Sequence, residues 1–139
     1  MTDRTFVDTN VWVYAVDDAD PTKQAQARRV LDPAAGLEIA ISAQVLSEFY
    51  VVTTRKLAKP LSAEAAQAFV QELARLPVVD VDAQLVMTAI TAGREWRLSL
   101  WDALIVRAAE VAGCRRLLSE DLADRAIYGD VQVENPFAS

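Results

Sequence analysis

The chain has 139 residues, 53% of them apolar, with one cysteine, no histidine and a net charge of −6, a length that supports one domain with its own core. Without histidine there is no Ser-His-Asp or Cys-His hydrolase and no imidazole metal ligand, and one cysteine excludes an intrachain disulfide and a thiolate zinc site. An enzyme of this composition works mainly with carboxylates, whose oxygens suit hard cations such as magnesium or manganese.

No uninterrupted run of about 18 apolar residues occurs, so no membrane span is expected. Met1 to Thr5 lacks the basic-then-apolar order of a signal peptide, which makes the cytoplasm the expected location. No repeat, linker or low-complexity stretch divides the sequence, and residues 1–139 read as a single domain.

Thr5-Phe6-Val7 reads as a strand that stops at Asp8-Thr9-Asn10, and Val11, Trp12, Tyr14 and Ala15 fit a short helix. Asp20-Pro21 is an N-cap with proline at the first helical position, starting a helix that ends before Pro33. Ile39-Ala40-Ile41 is a second strand. Ser42 caps a helix carrying Val45, Leu46, Phe49 and Val52, and Ser62 caps another carrying Ala66, Phe69, Val70 and Leu73. Val78 to Val81 reads as a strand, Asp82 and Ser99 cap two further helices, and Gly113 ends the second of these. Arg116 to Ser119 reads as a strand, Leu122 to Ile127 as a short helical stretch, and Val131-Gln132-Val133 as the last strand. Strands alternating with helices predict an α/β fold, with a mostly parallel central sheet of about five strands and helices on both faces.

Most of the 20 Asp and Glu residues sit in polar or capping contexts. Asp8, Glu48, Asp102 and Asp121 stand out, because they lie in apolar neighbourhoods or at strand ends. Each has an ordinary structural reading: Asp8 as a turn or cap, Glu48 as the edge of an amphipathic helix, Asp102 as the acidic partner in a capping box with Ser99, Asp121 as an N-cap. Together they come from strand ends and helix starts that a parallel sheet gathers at one edge, where ligands bind in open α/β folds. Converging carboxylates repel by roughly 4 kcal/mol per pair at 4 Å and an effective dielectric of about 20, so the cluster implies a divalent cation.

Val7-Asp8-Thr9-Asn10, Ser47-Glu48-Phe49, Leu100-Trp101-Asp102-Ala103 and Leu118-Ser119-Glu120-Asp121-Leu122, in this order and spacing, resemble the PIN-domain ribonucleases. Within that family they resemble the small VapC-like toxins of toxin–antitoxin pairs. The ending Tyr128-Gly129-Asp130-Val131 through Asn135-Pro136-Phe137 is similar to one branch of the family. The resemblance implies a PIN-like three-layer sandwich and a metal-dependent endoribonuclease whose acidic quartet is Asp8, Glu48, Asp102 and Asp121, holding Mg2+ or Mn2+. It makes Thr9, Asn10 and Ser119 polar groups that orient the carboxylates, and leaves Asp124 as a candidate fifth acid. An RNA substrate, a small cognate antitoxin protein and a homodimer are implied with it.

Two rival classes are weighed against this. A phosphoacceptor domain needs a late lysine, whereas the lysines here are Lys23, Lys56 and Lys59, and a dehalogenase-type phosphatase needs Asp-x-Asp where this chain has Asp8-Thr9-Asn10. A noncatalytic interaction module is compatible with the sequence and would bind no metal.

Overall fold

The computed structural model describes residues 4–138; Met1 to Asp3, which carry most of the amino-terminal pattern discussed above, lie outside the described residues. The first unit is β1 (Arg4–Val7) followed at once by α1 (Thr9–Val16), with Asp8 between them as cap. Asp20 caps α2 (Pro21–Leu31), its side chain accepting from the Lys23 N–H, and a short 3-10 turn at Pro33–Ala35 leads to Gly36 in the left-handed region at φ 77°. Ser42 ends β2 (Glu38–Ser42) and caps α3 (Ala43–Arg55).

The remaining helices start as their sequences predict. Ser62 caps α4 (Ala63–Leu73), Asp82 caps α5 (Ala83–Trp96) and Ser99 caps α6 (Leu100–Val111), each side-chain oxygen accepting the N–H three residues on. The remaining strands are β3 (Val78–Val79), β4 (Cys114–Leu118), β5 (Ile127–Tyr128) and β6 (Val131–Glu134). They form a six-stranded sheet ordered β3-β2-β1-β4-β6-β5, parallel except for the β5–β6 pair.

Alternation along the two central strands explains the layers. Phe6 and Leu117 enter one apolar cluster with Ile41, Val45, Leu104 and Val133, while the next residues, Val7 and Leu118, enter a second with Val11 and Ala27. The sheet is therefore buried on both faces. Cys114 belongs to the first cluster at 2% exposure; burial pushes its thiol up to about 11, so it packs as a small apolar group.

Three local expectations change. The strand expected over Val78 to Val81 is confined to Val78–Val79, and the one expected from Arg116 to Ser119 runs instead from Cys114 to Leu118. The helical stretch expected over Leu122 to Ile127 is absent. Its backbone is committed to β6 instead: Arg125 N–H donates to the Val133 carbonyl (2.8 Å) and Val133 N–H to the Ala126 carbonyl (2.9 Å). Arg125 sits at φ 66°, which no helix tolerates. Leu122, 5% exposed, is held in the core while Ile127 is 67% exposed, so the apolar spacing that reads as helical serves an irregular connection.

Candidate active site

β1 and β4 are neighbours at the middle of the sheet, and their carboxyl ends deliver Asp8 and Ser119 side by side. The Asp8 N–H donates to the Leu118 carbonyl (2.9 Å), extending the ladder by one residue. Asp8 is only 5% exposed and Ser119 is fully buried. The Ser119 hydroxyl donates to Asp8 Oδ2 (2.8 Å) and the Thr9 N–H to Asp8 Oδ1 (2.7 Å).

The other three acids approach from separate elements. Glu48 lies nearly two turns into α3, where Thr9 Oγ1 donates to its Oε2 (2.9 Å) and Gln44 Nε2 to its Oε1 (2.8 Å). Asp102 is in the first turn of α6, its N–H donating to the Ser99 hydroxyl at 3.1 Å. Asp121 follows β4 by three residues in an irregular segment, so it caps no helix; its N–H donates to the Ser119 hydroxyl (3.2 Å). Asn10 Nδ2 donates to Asp121 Oδ2 (3.1 Å) and lies 3.4 Å from Asp8 Oδ2.

These four carboxylates share one electrostatic neighbourhood. Burial pushes Asp8 up to about 6; the hydrogen bonds from Ser119 and Thr9 oppose that rise, and the charges of Asp121 and Glu48 add to it. Asp102 is also raised, by burial first, with Ser99 opposing and Asp121 and Glu48 reinforcing. Among the described residues no lysine or arginine forms an ion pair with any of the four. A buried, uncompensated carboxylate inside a ring of like charge is a site that a cation stabilises.

The donor chemistry fits a hard divalent ion, since the set is all oxygen. As the side chains stand, however, no group of three such acids among the described residues closes on a metal ion. Neutral donors already engage three of these acids: Asn10 Nδ2 approaches both Asp8 and Asp121, and the Thr9 hydroxyl donates to Glu48. Asp124 is engaged away from this centre, with its Oδ1 accepting from the Asn135 N–H at 2.9 Å.

Sequence reasoning did not single out Gln44 and Glu120. Gln44 Nε2 also donates to the Trp101 carbonyl (3.1 Å), tying α3 to the start of α6, and leaves its own Oε1 buried without a partner. Its position four residues before Glu48, on the same helical face, is the signal that could have found it. Glu120 is held by Lys23 and Tyr14, and although its burial acts to raise it, those two partners keep its carboxyl below the usual range.

The chain is similar in structure to several solved toxins. VapC20 from Mycobacterium tuberculosis, described as a Sarcin-Ricin loop cleaving toxin, matches at 20% identity and TM-score 0.62, over 81% of this chain and 86% of that one. A toxin–antitoxin complex from Klebsiella pneumoniae matches at 20% identity and TM-score 0.69, over 96% and 98%. DNA-bound VapBC from Salmonella typhimurium matches at 19% identity and TM-score 0.67, over 97% and 99%. No curated protein sequence matches the chain. The PIN domain family model matches residues 5–128, and with the parallel sheet and acid placement described above, the chain belongs to the PIN domain family.

Proposed function

We propose that this chain is a metal-dependent endoribonuclease acting as the toxin of a toxin–antitoxin pair in the cytoplasm. The observation that carries the reading is Asp8, a carboxylate 5% exposed at the carboxyl end of the central strand, grouped with three other acids and with no ion pair to a lysine or arginine among the described residues. Asp8, Glu48, Asp102 and Asp121 would hold magnesium or manganese. Such an ion, when bound, supplies an activated water and neutralises charge on the phosphate. The chain's own polar groups do the orienting: Ser119 fixes one oxygen of Asp8, Thr9 and Gln44 fix the two oxygens of Glu48, and the Asn10 NH2 lies between Asp8 and Asp121.

An acidic centre in a protein of charge −6 repels RNA until a cation is present, so RNA affinity should rise with magnesium and fall with monovalent salt. Unpaired segments are the fitting substrate, because a loop splays its bases and lets one phosphate descend between sheet edge and helices. Purified protein should cleave a hairpin loop with magnesium or manganese and not with chelator. Cleavage that survives chelation, or equal cutting of a perfect duplex, would overturn this reading. The spacing of the carboxylates favours one alternative, an interaction module that binds no metal, and a manganese titration separates the two.

The partner is a small antitoxin. None of the four acids lines an apolar groove whose walls include Trp12, Phe49, Phe69 and Leu73, so an apolar partner segment seats there without entering the acidic centre. Expression of the chain alone should arrest bacterial growth, and co-expression of the antitoxin should relieve it; an equally harmless wild type and Asp8→Asn variant would count against a toxin. We also propose a homodimer, for which exposed apolar residues on α5, Met87 and Ile90, provide contact area; sedimentation of the purified chain tests it.

A further inference from the structure

Beside the four acids lies a second polar cluster, more closely built than surface pairing explains. Lys23 occupies the third position of α2, at the positive end of the helix dipole, where a cation is disfavoured. A specific partner offsets that cost. Its ammonium pairs with Glu120 and donates to the Tyr14 hydroxyl (3.3 Å), and that hydroxyl in turn donates to Glu120 Oε1 (2.6 Å). Both ionic side chains are largely covered, at 33% and 24% exposure. Nζ stands 4.9 Å from the Tyr14 ring centroid, and Phe137 meets the same ring edge-on at 4.8 Å.

Glu120 is thus anchored to two helices, and its backbone faces the acids. The Glu120 N–H donates to Asn10 Oδ1 (3.1 Å). That bond decides which way the Asn10 carboxamide points: with its oxygen held by an N–H, its NH2 must face Asp121 and Asp8. Among the described residues this NH2 is the one neutral side-chain group within 3.4 Å of both carboxylates, so it bridges them.

We propose that Lys23, Tyr14 and Glu120 form a clamp that fixes the segment Ser119 to Asp121 and, through Asn10, sets the spacing of Asp8 and Asp121 for metal. This is a positioning role, and it rests on reading those acids as a metal site. A direct contact between Lys23 and an RNA phosphate would leave the opposite kinetic signature.

Three measurements on the full chain test the clamp. In the metal-free, 15N-labelled protein, the Asn10 side-chain NH2 should show a distinct, slowly exchanging pair of resonances. Glu120→Gln and Lys23→Met should each collapse that pair, and Lys23→Arg should retain it. Manganese affinity should fall about tenfold or more in the two disrupting variants, within the range typical when groups that orient ligands are removed. With a single-stranded RNA, kcat should fall by about ten- to a hundredfold while KM changes less than about twofold.

If Lys23 contacts RNA instead, Lys23→Met raises KM and flattens the salt dependence by about one unit of slope, whereas Glu120→Gln frees the ammonium and lowers KM. That pattern overturns the clamp, as do unchanged Asn10 resonances and manganese affinity. Should Lys23→Met fail to fold, Glu120→Gln and Tyr14→Phe carry the same comparison. A wild type that binds no manganese and cuts no RNA would sink the functional reading, while the Asn10 resonances still decide the clamp.

Discussion

Asp8→Asn is expected to lower RNA cleavage by about a thousandfold or more and, in chelator at pH 7, to make the protein more stable. The two effects share one cause. Burial and the neighbouring acids lift Asp8 from 3.8 to about 6, so between those values the folded protein holds a proton that the unfolded chain has released. Folding stability from this group is therefore greatest below pH 4, declines as pH rises to about 6, and stays low above it. At 1.36 kcal/mol per unit the decline amounts to about 3 kcal/mol. Asparagine does not ionise and keeps an oxygen for the Thr9 N–H, so it escapes the decline.

For a chain of this size the gain corresponds to roughly 5–10 °C in Tm at pH 7. It should vanish near pH 4, where the wild-type carboxyl is protonated. Melting curves of both proteins from pH 4 to 8 in chelator measure the difference directly. A variant that melts lower than wild type at pH 7 would mean that the bonds from Ser119 and Thr9 outweigh the cost of burying the charge. Magnesium should reverse the ranking, because a ligand that binds only the folded wild type stabilises it by mass action.

Phe49→Ala should cost about 3–5 kcal/mol, the usual range for emptying an aromatic core position. Phe49 is 1% exposed and meets Phe69 of α4 edge-on at a centroid distance of 6.1 Å, so its ring joins α3 to α4. It also follows Glu48 directly. Loss of the ring lets α3 shift against its neighbours, and Glu48 moves with the helix, weakening the Thr9 and Gln44 bonds that orient it. Chemical denaturation should give a lower midpoint with an unchanged slope, and cleavage should fall even where the variant remains folded. Phe49→Leu, which keeps most of the volume, should restore most of both. Full activity in a destabilised but folded Phe49→Ala would separate the packing from the site.

The helix starts were legible because their cause is local: Asp20, Ser42, Ser62, Asp82 and Ser99 each cap with their own side chain. The sheet was legible because short apolar runs such as Thr5-Phe6-Val7 and Ile39-Ala40-Ile41 alternate with helical segments, as a parallel sheet requires. The segment from Leu122 to Ile127 was not, since its bonds go to Val133 and Asn135 and no spacing within it announces them. The same contrast divides the candidate site. Asp8 and Asp121 were accessible from their places after strands, whereas Lys23 and Glu120 look like ordinary surface charges until 97 residues of chain separation are closed.

The bonds that assemble the acids have a consequence for synthesis. Ser119 to Asp8, Asn10 to Asp121 and Glu120 to Asn10 each join residues 110 or 111 positions apart. A chain still on the ribosome and interrupted before β4 has Asp8, Glu48 and Asp102, yet it lacks the strand that shields Asp8 from water and the loop that supplies Asp121. Contacts of such long separation form late and slowly. The acidic centre is thus completed only once the chain has been made past Asp121, which delays the arrival of any hydrolytic capacity until β1 and β4 can pair.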